Sequence, residues 1–155
     1  RMSIETSLAF RSAAPGDAAA IRALVRAAYA KWVPVLGREP RPMQADYEAA
    51  VREHDFDIAE RDGAMIALIE TMLRDDHLWI ENIAVAPVAQ GQGLGTLLLE
   101  RSEARARAAG RQELRLLTNG RMAANIALYR RVGFSLDKEE PFGDGTVVYM
   151  SRRLL

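Results

Sequence analysis

The chain has 155 residues, of which 21 are basic and 21 acidic, so it carries no formal net charge at pH 7. This length predicts one domain over residues 1–155 that needs no disulfides, and the absence of Cys excludes disulfides, thiolate metal sites and a cysteine nucleophile. The balanced charge argues against the overall positive field with which proteins bind nucleic acid non-specifically. A local basic patch remains compatible with this composition.

The amino-terminal stretch shows no apolar run of the kind found in signal peptides. Arg1 precedes Met2, so we expect Arg1 to be a remnant of expression cloning and Met2 the natural first residue. Nowhere do about 18 apolar residues follow one another, as a membrane-spanning helix requires. The sequence therefore predicts a cytoplasmic protein without a membrane partner.

Six elements are predicted in the first half of the chain. Apolar residues at helical spacing follow the N-cap candidate Asp17, and Asp62-Gly63 between two strand-like runs is a strong hairpin signal. Prolines between Trp32 and Met43 favour an extended loop. The predicted elements are a strand over residues 7–12, helices over 17–31 and 46–53, and strands over 55–60, 64–73 and 77–85.

The second half is predicted to alternate helices and strands, with Gly110 and Gly133 ending the two helices and a turn around Pro141. The predicted elements are a helix over 94–108, a strand over 113–118, a helix over 122–132, and strands over 134–138 and 146–152. Helical spacing places one face of the first helix at Leu94, Leu97, Leu98, Arg101, Ala104, Arg105 and Ala108. This order describes an α/β protein with a mixed sheet, helices on its faces and one βαβ unit.

One strand-loop-helix segment, Trp79–Glu100, carries the chemical signal. Gly91, Gly93 and Gly95 stand at alternate positions at the start of the helix. Glycines let a ligand approach the backbone, and the unpaired N–H groups at a helix start, together with the helix dipole, favour an anion. A phosphate or diphosphate is therefore the predicted ligand.

Other uses of a glycine-rich loop fit less well. A nucleotide P-loop requires Gly-Lys-Ser or Gly-Lys-Thr, whereas Gly95 is followed by Thr96 and Leu97. The dinucleotide fingerprint separates its last two glycines by two residues, whereas only Leu94 stands between Gly93 and Gly95. A turn that binds no ligand remains open as an alternative.

The loop resembles that of the GNAT superfamily of acyl-CoA-dependent N-acyltransferases. Gln90, Gly93 and Gly95 satisfy the family's loop signature, and residues 84–87 read Ala-Val-Ala-Pro, the family's ending of the preceding strand. The resemblance implies an N-acetyltransferase fold with a mixed, mostly antiparallel sheet, a splayed parallel strand pair and about four flanking helices.

A second set of residues downstream adds to the resemblance. The family carries an Asn and a Tyr on the next helix before a Gly-Phe pair, and Asn125, Tyr129, Gly133 and Phe134 stand at those places. The diagnostic residues thus lie between Trp79 and Phe134, while residues 1–60 carry little of the resemblance.

The resemblance implies acetyl-CoA as the co-substrate. The loop would hold the CoA diphosphate, and backbone groups of the preceding strand would pair with the pantetheine. An N–H near Val85 would polarise the thioester carbonyl, a donor whose loss typically costs roughly 2.7 to 4 kcal/mol of barrier. The implied cofactor-binding residues are Ile83, Ala84, Val85, Gln90, Gly91, Gln92, Gly93, Leu94, Gly95, Thr96 and Asn125. Which arginine of the 101–131 region meets the 3′-phosphate stays open.

Two residues are candidates for proton transfer. In the family the Tyr protonates the departing thiolate, which implies this role for Tyr129. The alternative is that Tyr129 is a buried core aromatic whose hydroxyl is hydrogen-bonded within the protein. An acceptor amine with a pKa of about 10.4 is mostly protonated at neutral pH, so a base is useful. Glu81 is the candidate base, acting through water, and a surface carboxylate is the alternative.

The acceptor is predicted to be a primary amine of a small molecule that attacks directly in a ternary complex. Tyr29, Trp32 and Tyr47 come from the region that roofs the acceptor site in the family, with core packing as the alternative. A protein N-terminus or lysine as acceptor, and a non-catalytic acyl-CoA-binding module, are the alternative functions. Family members often pair, so a homodimer is also expected.

Two clusters superficially resemble metal ligands: His54 with Asp55 and Asp57, and His77 with residues 75–76. The chain has only 2 His and shows no repeated ligand spacing. We therefore expect solvated strand ends and no metal site.

Overall fold

The computed structural model describes residues 8–154, so the expectations about Arg1, Met2 and Ser7 lie outside the described residues. The strands are β1 Leu8–Ser12, β2 Asp55–Arg61, β3 Ala64–Leu73, β4 Leu78–Val85, β5 Glu113–Asn119, β6 Ser135–Phe142 and β7 Gly145–Arg153. The longer helices are α1 Ala18–Tyr29, α2 Tyr47–Glu53, α3 Leu94–Ala108 and α4 Ala123–Val132. The strands form one mixed sheet in the order β1-β2-β3-β4-β5-β7-β6, with β4 and β5 parallel. This confirms the predicted fold class.

The chain divides into two compact units. One comprises the chain up to Glu70 together with Asn82–Leu98, and the other comprises Thr71–Glu81 together with the chain from Leu99 onward. The predicted single domain over residues 1–155 stays a prediction.

In the first unit, β1 and β2 pair antiparallel, with Phe10 opposite Ala59. The predicted hairpin between β2 and β3 turns at Asp62 and Gly63, whose φ angles are 53° and 80°. Two positive φ values in a row are typical of the type I′ turn, whose twist matches that of the flanking strands. The Asp-Gly signal therefore predicted the place of the hairpin turn.

The start of α1 differs from the prediction. Asp17 stands at the N-cap position, but no side-chain hydrogen bond caps the helix. Its carboxylate instead accepts Arg11 Nη1 and the Ala14 N–H, each at 2.7 Å. The hydrogen bond from Arg11 lowers the pKa of Asp17 to about 2. The carboxylate thus pairs with β1 rather than with the first turn of the helix.

The segment predicted as an extended loop is partly helical. α1 ends at Tyr29, and a 3-10 turn, Ala30–Trp32, leads into a helical turn, Val33–Leu36. Pro34 lies in the first turn of that segment, where its missing N–H removes no helical hydrogen bond. Gly37, with φ 78°, ends the turn. The extended-loop prediction was wrong because a proline can start a helix as well as stop one.

β4 alternates along its length between buried and half-buried residues. The even positions from Leu78 to Ala84 are buried, and the odd positions from Trp79 to Val85 are half-buried. This alternation confirms the predicted shared face of Trp79, Glu81 and Ile83. At its start β4 runs parallel to β5, and the splaying of that pair stays a prediction.

α3 spans the predicted residues but buries a different face. Arg101, Ala104, Arg105 and Ala108 are exposed. The buried residues of the helix are Leu94, Leu98, Leu99, Ser102 and Ala106. The buried face includes Ser102 and Ala106. Because these two residues have low hydropathy, a count of apolar residues does not reveal this face. In the part of the chain that the structure describes, neither α3 nor any other helix is long and apolar enough to cross a membrane.

In the second unit, β5 and β7 pair antiparallel, and β6 is the outermost strand. Pro141, predicted in a turn, lies within β6 opposite Thr146. The prediction failed because an edge strand accommodates a residue without an N–H donor. Gly133, with φ 107°, ends α4 as predicted.

Candidate functional site

The loop between β4 and α3 presents its backbone. Gly91 and Gly93 have φ angles of 79° and 82°, and an added Cβ at either position would meet no described atom within 4 Å. The Gly93 carbonyl accepts the N–H of Leu97 at 3.0 Å and so begins the helical ladder. The N–H groups of residues 94–96 therefore belong to the first turn, where no intrahelical acceptor exists. This is the geometry of an anion site at a helix N-terminus.

Two glutamines tie the loop to neighbouring elements. Gln90 Nε2 donates to the Val85 carbonyl at 2.9 Å, which joins the loop to the end of β4. Gln90 Oε1 accepts Lys31 Nζ at 2.9 Å, and Gln92 Oε1 accepts Arg61 Nη2 at 3.0 Å. Gln90, predicted as a cofactor contact, thus uses its side chain to hold the loop in place.

The end of β4 is held from the side of α1. The Tyr29 hydroxyl lies 3.0 Å from the carbonyl oxygen of Ile83. A carbonyl oxygen has two lone pairs, so this one can still accept a hydrogen bond from a ligand. The side chain of Ala84 is buried. At Ala84, any contact with a ligand would therefore come from the backbone, and the strand-like pairing with pantetheine stays a prediction.

A buried polar cluster lies beneath this part of β4. Asn82, 3% exposed, accepts the Tyr29 hydroxyl at 2.8 Å and donates to the Tyr47 hydroxyl at 3.2 Å and to Glu70 Oε1 at 3.4 Å. Glu70, also 3% exposed, has its Oε2 2.6 Å from His54 Nδ1. The side-chain amide of the central Asn82 does not titrate, so the cluster is not suited to relaying protons. It is suited to holding the surrounding side chains in position.

This cluster was not predicted from the sequence. Asn82 and Glu70 are polar residues inside apolar strands, and that signal alone could have suggested a buried network. His54 was expected at a solvated strand end, which is wrong because its ring lies against buried Glu70. Since a buried polar group must be hydrogen-bonded, the cluster fixes which elements can lie beside Asn82.

The three acceptor candidates differ in exposure. Tyr47 is fully buried and its hydroxyl donates to the Pro42 carbonyl at 2.7 Å. Tyr29 is 8% exposed, and its hydroxyl is engaged by the cluster. Trp32 is half-buried, with Lys31 Nζ 5.5 Å from its ring centroid. Burial favours the core-packing alternative for both tyrosines. Trp32 is the one of the three candidates whose side chain is exposed enough to contact an acceptor.

Tyr129 belongs to the second unit and is buried beside Phe134. The two ring centroids lie 5.8 Å apart. Burial raises the pKa of Tyr129 to about 12. Within residues 8–154 no protein group hydrogen-bonds its hydroxyl, and every fully buried side-chain polar atom there has a partner, so this oxygen reaches the surface. The hydroxyl is a neutral donor at physiological pH.

Asn125 lies one turn before Tyr129 on α4. Its side-chain Nδ2 is 3.7 Å from Met122 Sδ, a weak acceptor, and its backbone N–H donates to the Met122 carbonyl at 3.1 Å. Residues four apart share one helical face, so Asn125 and Tyr129 project in the same direction.

The candidate base Glu81 is half-buried on β4. Its Oε1 accepts the indole N–H of Trp79 at 2.8 Å. This hydrogen bond orients the carboxylate and leaves its second oxygen for water. Among the residues that the structure describes, no group of three or more His, Asp or Glu is arranged to hold a metal ion.

Comparison with known proteins places the chain in a family. The profile of the acetyltransferase (GNAT) family matches residues 20–134, from α1 through α4 to Phe134. The chain therefore belongs to the acetyltransferase (GNAT) family, and the resemblance found in the loop and on α4 is confirmed.

Individual relatives give further likenesses. An IAA acetyltransferase from Azospirillum brasilense is 38% identical over 90 residues, which span 57% of this chain and only 58% of that relative. The ribosomal-protein-S18-alanine N-acetyltransferase of Escherichia coli is 25% identical with a TM-score of 0.77, over 95% of this chain and 94% of that one. The PaiA N-acetyltransferase of Thermoplasma acidophilum, solved with coenzyme A, is similar in fold, with 17% identity and a TM-score of 0.80 over 95% and 99% of the two chains.

Proposed function

We propose that the protein transfers an acetyl group from acetyl-CoA to a primary amine of a small molecule by direct attack in a ternary complex. The loop carries the proposal: its two positive-φ glycines open directly into the first turn of α3. The backbone N–H groups of residues 94–96 suit a diphosphate, and the open space at Gly91 and Gly93 suits a ligand that approaches the main chain. PaiA, a structural neighbour, binds coenzyme A.

The reaction needs one base and one acid. The C–N bond forms as the C–S bond of the thioester breaks, the amine loses a proton and the thiolate gains one. Glu81 would accept the amine proton through water, and Tyr129 would donate to the thiolate. With a pKa of about 12 for buried Tyr129 and the ordinary pKa of about 8.5 for a thiol, that donation is uphill by about 5 kcal/mol. Burial raises the pKa of a leaving thiol as well, which narrows the gap.

The acceptor is proposed from two considerations. The curated relative is named IAA acetyltransferase, which favours a small molecule. A formal net charge of zero gives no general attraction for charged polymers. The E. coli neighbour, named as an alanine N-acetyltransferase of a ribosomal protein, favours a protein N-terminus as the second candidate. A cytoplasmic location and a homodimer are further proposals, the first consistent with the absence of Cys.

Thiol release from acetyl-CoA tests the reaction, with small amines, polyamines, amino acids and short peptides as acceptors. Release with a small amine supports the proposal. Release with peptides alone moves the assignment to the protein N-terminus. Melting stabilised by CoA without release for any acceptor identifies a binding module instead.

Gly93→Val tests the loop. A β-branched residue strongly disfavours φ 82°, so the loop must change shape and CoA binding should fall by at least about 100-fold. The reason is backbone strain, since an added Cβ meets no described atom. Gly110→Val is the matched control, because Gly110 has φ 74° and equally open surroundings just after α3. The control should lose stability and keep CoA binding; equal loss of CoA binding in both variants would contradict the proposal.

A further inference from the structure

Two cations reach the glycine loop from separate parts of the first unit. Lys31 comes from the 3-10 turn that follows α1, and Arg61 is the last residue of β2. Lys31 Nζ donates a hydrogen bond to Gln90 Oε1 at 2.9 Å, and Arg61 Nη2 donates one to Gln92 Oε1 at 3.0 Å. Gln90 and Gln92 stand on either side of Gly91 in the sequence. The two cations therefore bind side chains that are two positions apart in the loop.

The charges of these two cations are not neutralised. The side chain of each cation donates its hydrogen bond to a neutral amide oxygen, and within residues 8–154 neither Lys31 nor Arg61 forms an ion pair. Other cations of the same unit are paired, such as Arg11 with Asp17 and Glu60. A local positive charge thus lies beside the backbone N–H groups of the loop, in a protein whose formal net charge is zero.

We propose that Lys31 and Arg61 bind the diphosphate of CoA together with the loop amides. The inference rests on the proposed function and adds two residues to it. The loop amides supply partial charges only, whereas the diphosphate carries full negative charges. A phosphate oxygen carries a negative charge that attracts the cation and that a neutral amide oxygen lacks, so exchange of the glutamine oxygens for phosphate oxygens is favourable. Both side chains are long enough to turn from one acceptor to the other.

Calorimetric titration of CoA at low salt tests this with Lys31→Met, Arg61→Met and the double variant. Methionine keeps an unbranched stem and removes the charge. Each single variant should weaken CoA binding about three- to tenfold, and the double variant more than either. Arg52→Met is the matched control, because Arg52 Nη1 donates to the Glu48 carbonyl and not to the loop. The control should bind CoA as the wild type does, and melting temperatures without ligand report on folding.

Three ligands locate the contact. The variants should lose the same factor for CoA and for dephospho-CoA, which lacks the 3′-phosphate, and nothing for pantetheine, which has no diphosphate. A loss confined to CoA would place the cations at the 3′-phosphate and overturn the proposal. Unchanged binding in the double variant would also overturn it while leaving the proposed function intact. Absence of CoA binding by the wild type would overturn both.

Discussion

Three tyrosines with buried rings are of two kinds. In the first unit, the hydroxyls of Tyr29 and Tyr47 are engaged by protein groups, among them Asn82. In the second unit, Tyr129 is as buried as Tyr29, each 8% exposed, yet within residues 8–154 no protein group hydrogen-bonds its hydroxyl.

The difference indicates which hydroxyl is available to a ligand. An unsatisfied buried polar group costs about 1–3 kcal/mol, so proteins usually provide a partner for it. At Tyr29 and Tyr47 the partners are internal, which fits a positioning role beneath β4. At Tyr129 the oxygen reaches the surface, so water or a ligand must supply the partner. Burial alone could not separate these residues, whereas their hydrogen bonds do.

Tyr129→Phe should have the largest effect. Removal of the proposed acid should lower turnover about 100- to 10,000-fold and leave CoA affinity nearly unchanged, because the phenyl ring still packs on Phe134. Thiol release and CoA titration measure the two quantities. Tyr149→Phe is the control within the same unit, because Tyr149 lies on β7 with Lys138 Nζ 4.5 Å from its ring centroid, and it should keep full turnover. Equal turnover of wild type and Tyr129→Phe across the pH range would remove Tyr129 from the mechanism.

The raised pKa of Tyr129 predicts a stability difference at alkaline pH. The unfolded chain loses the phenol proton near pH 10 and the folded chain near pH 12, so the free energy of unfolding falls over that interval. The lost contribution is about 3 kcal/mol, and it is fully present below pH 10. Urea unfolding of wild type and Tyr129→Phe should therefore diverge between these two pH values, with the variant less sensitive. Parallel pH profiles would show that the hydroxyl is as well solvated in the folded chain as in the unfolded chain.

Tyr47→Phe should act on stability and not on turnover. Loss of the hydroxyl leaves the Pro42 carbonyl without this donor and leaves Asn82 Nδ2 with Glu70 Oε1, at 3.4 Å, as its remaining acceptor, which should cost about 1–3 kcal/mol of unfolding free energy. Urea unfolding measures this cost, and thiol release by the folded variant should remain near that of wild type. A large loss of turnover with unchanged stability would reverse the contrast between Tyr47 and Tyr129.

Much of the fold was predictable because its signals are local. The Asp62-Gly63 turn, the alternation along β4 and the stop at Gly133 follow from the conformational preferences of a few neighbouring residues. The interior face of α3 was not predictable in the same way. Ser102 and Ala106 are buried because other elements pack on the helix at these positions. Their own hydropathy does not predict this burial.

The candidate site also contains features that local sequence predicts and features that only the folded chain shows. The spacing of Gly91, Gly93 and Gly95 predicted an anion loop without knowledge of the fold. The cluster around Asn82 joins residues far apart in sequence, Tyr29 being 53 positions away, so only the folded chain shows it. The contacts of Lys31 and Arg61 with the loop are long-range in the same sense.

The central claim is that main-chain N–H groups of the loop bind the diphosphate of CoA. Two-dimensional NMR of 15N-labelled protein titrated with CoA observes these groups directly. We predict large shifts for the amide signals of residues 91–96 with CoA and with dephospho-CoA, and much smaller shifts with pantetheine. Unmoved signals for these residues while CoA shifts others would contradict the account.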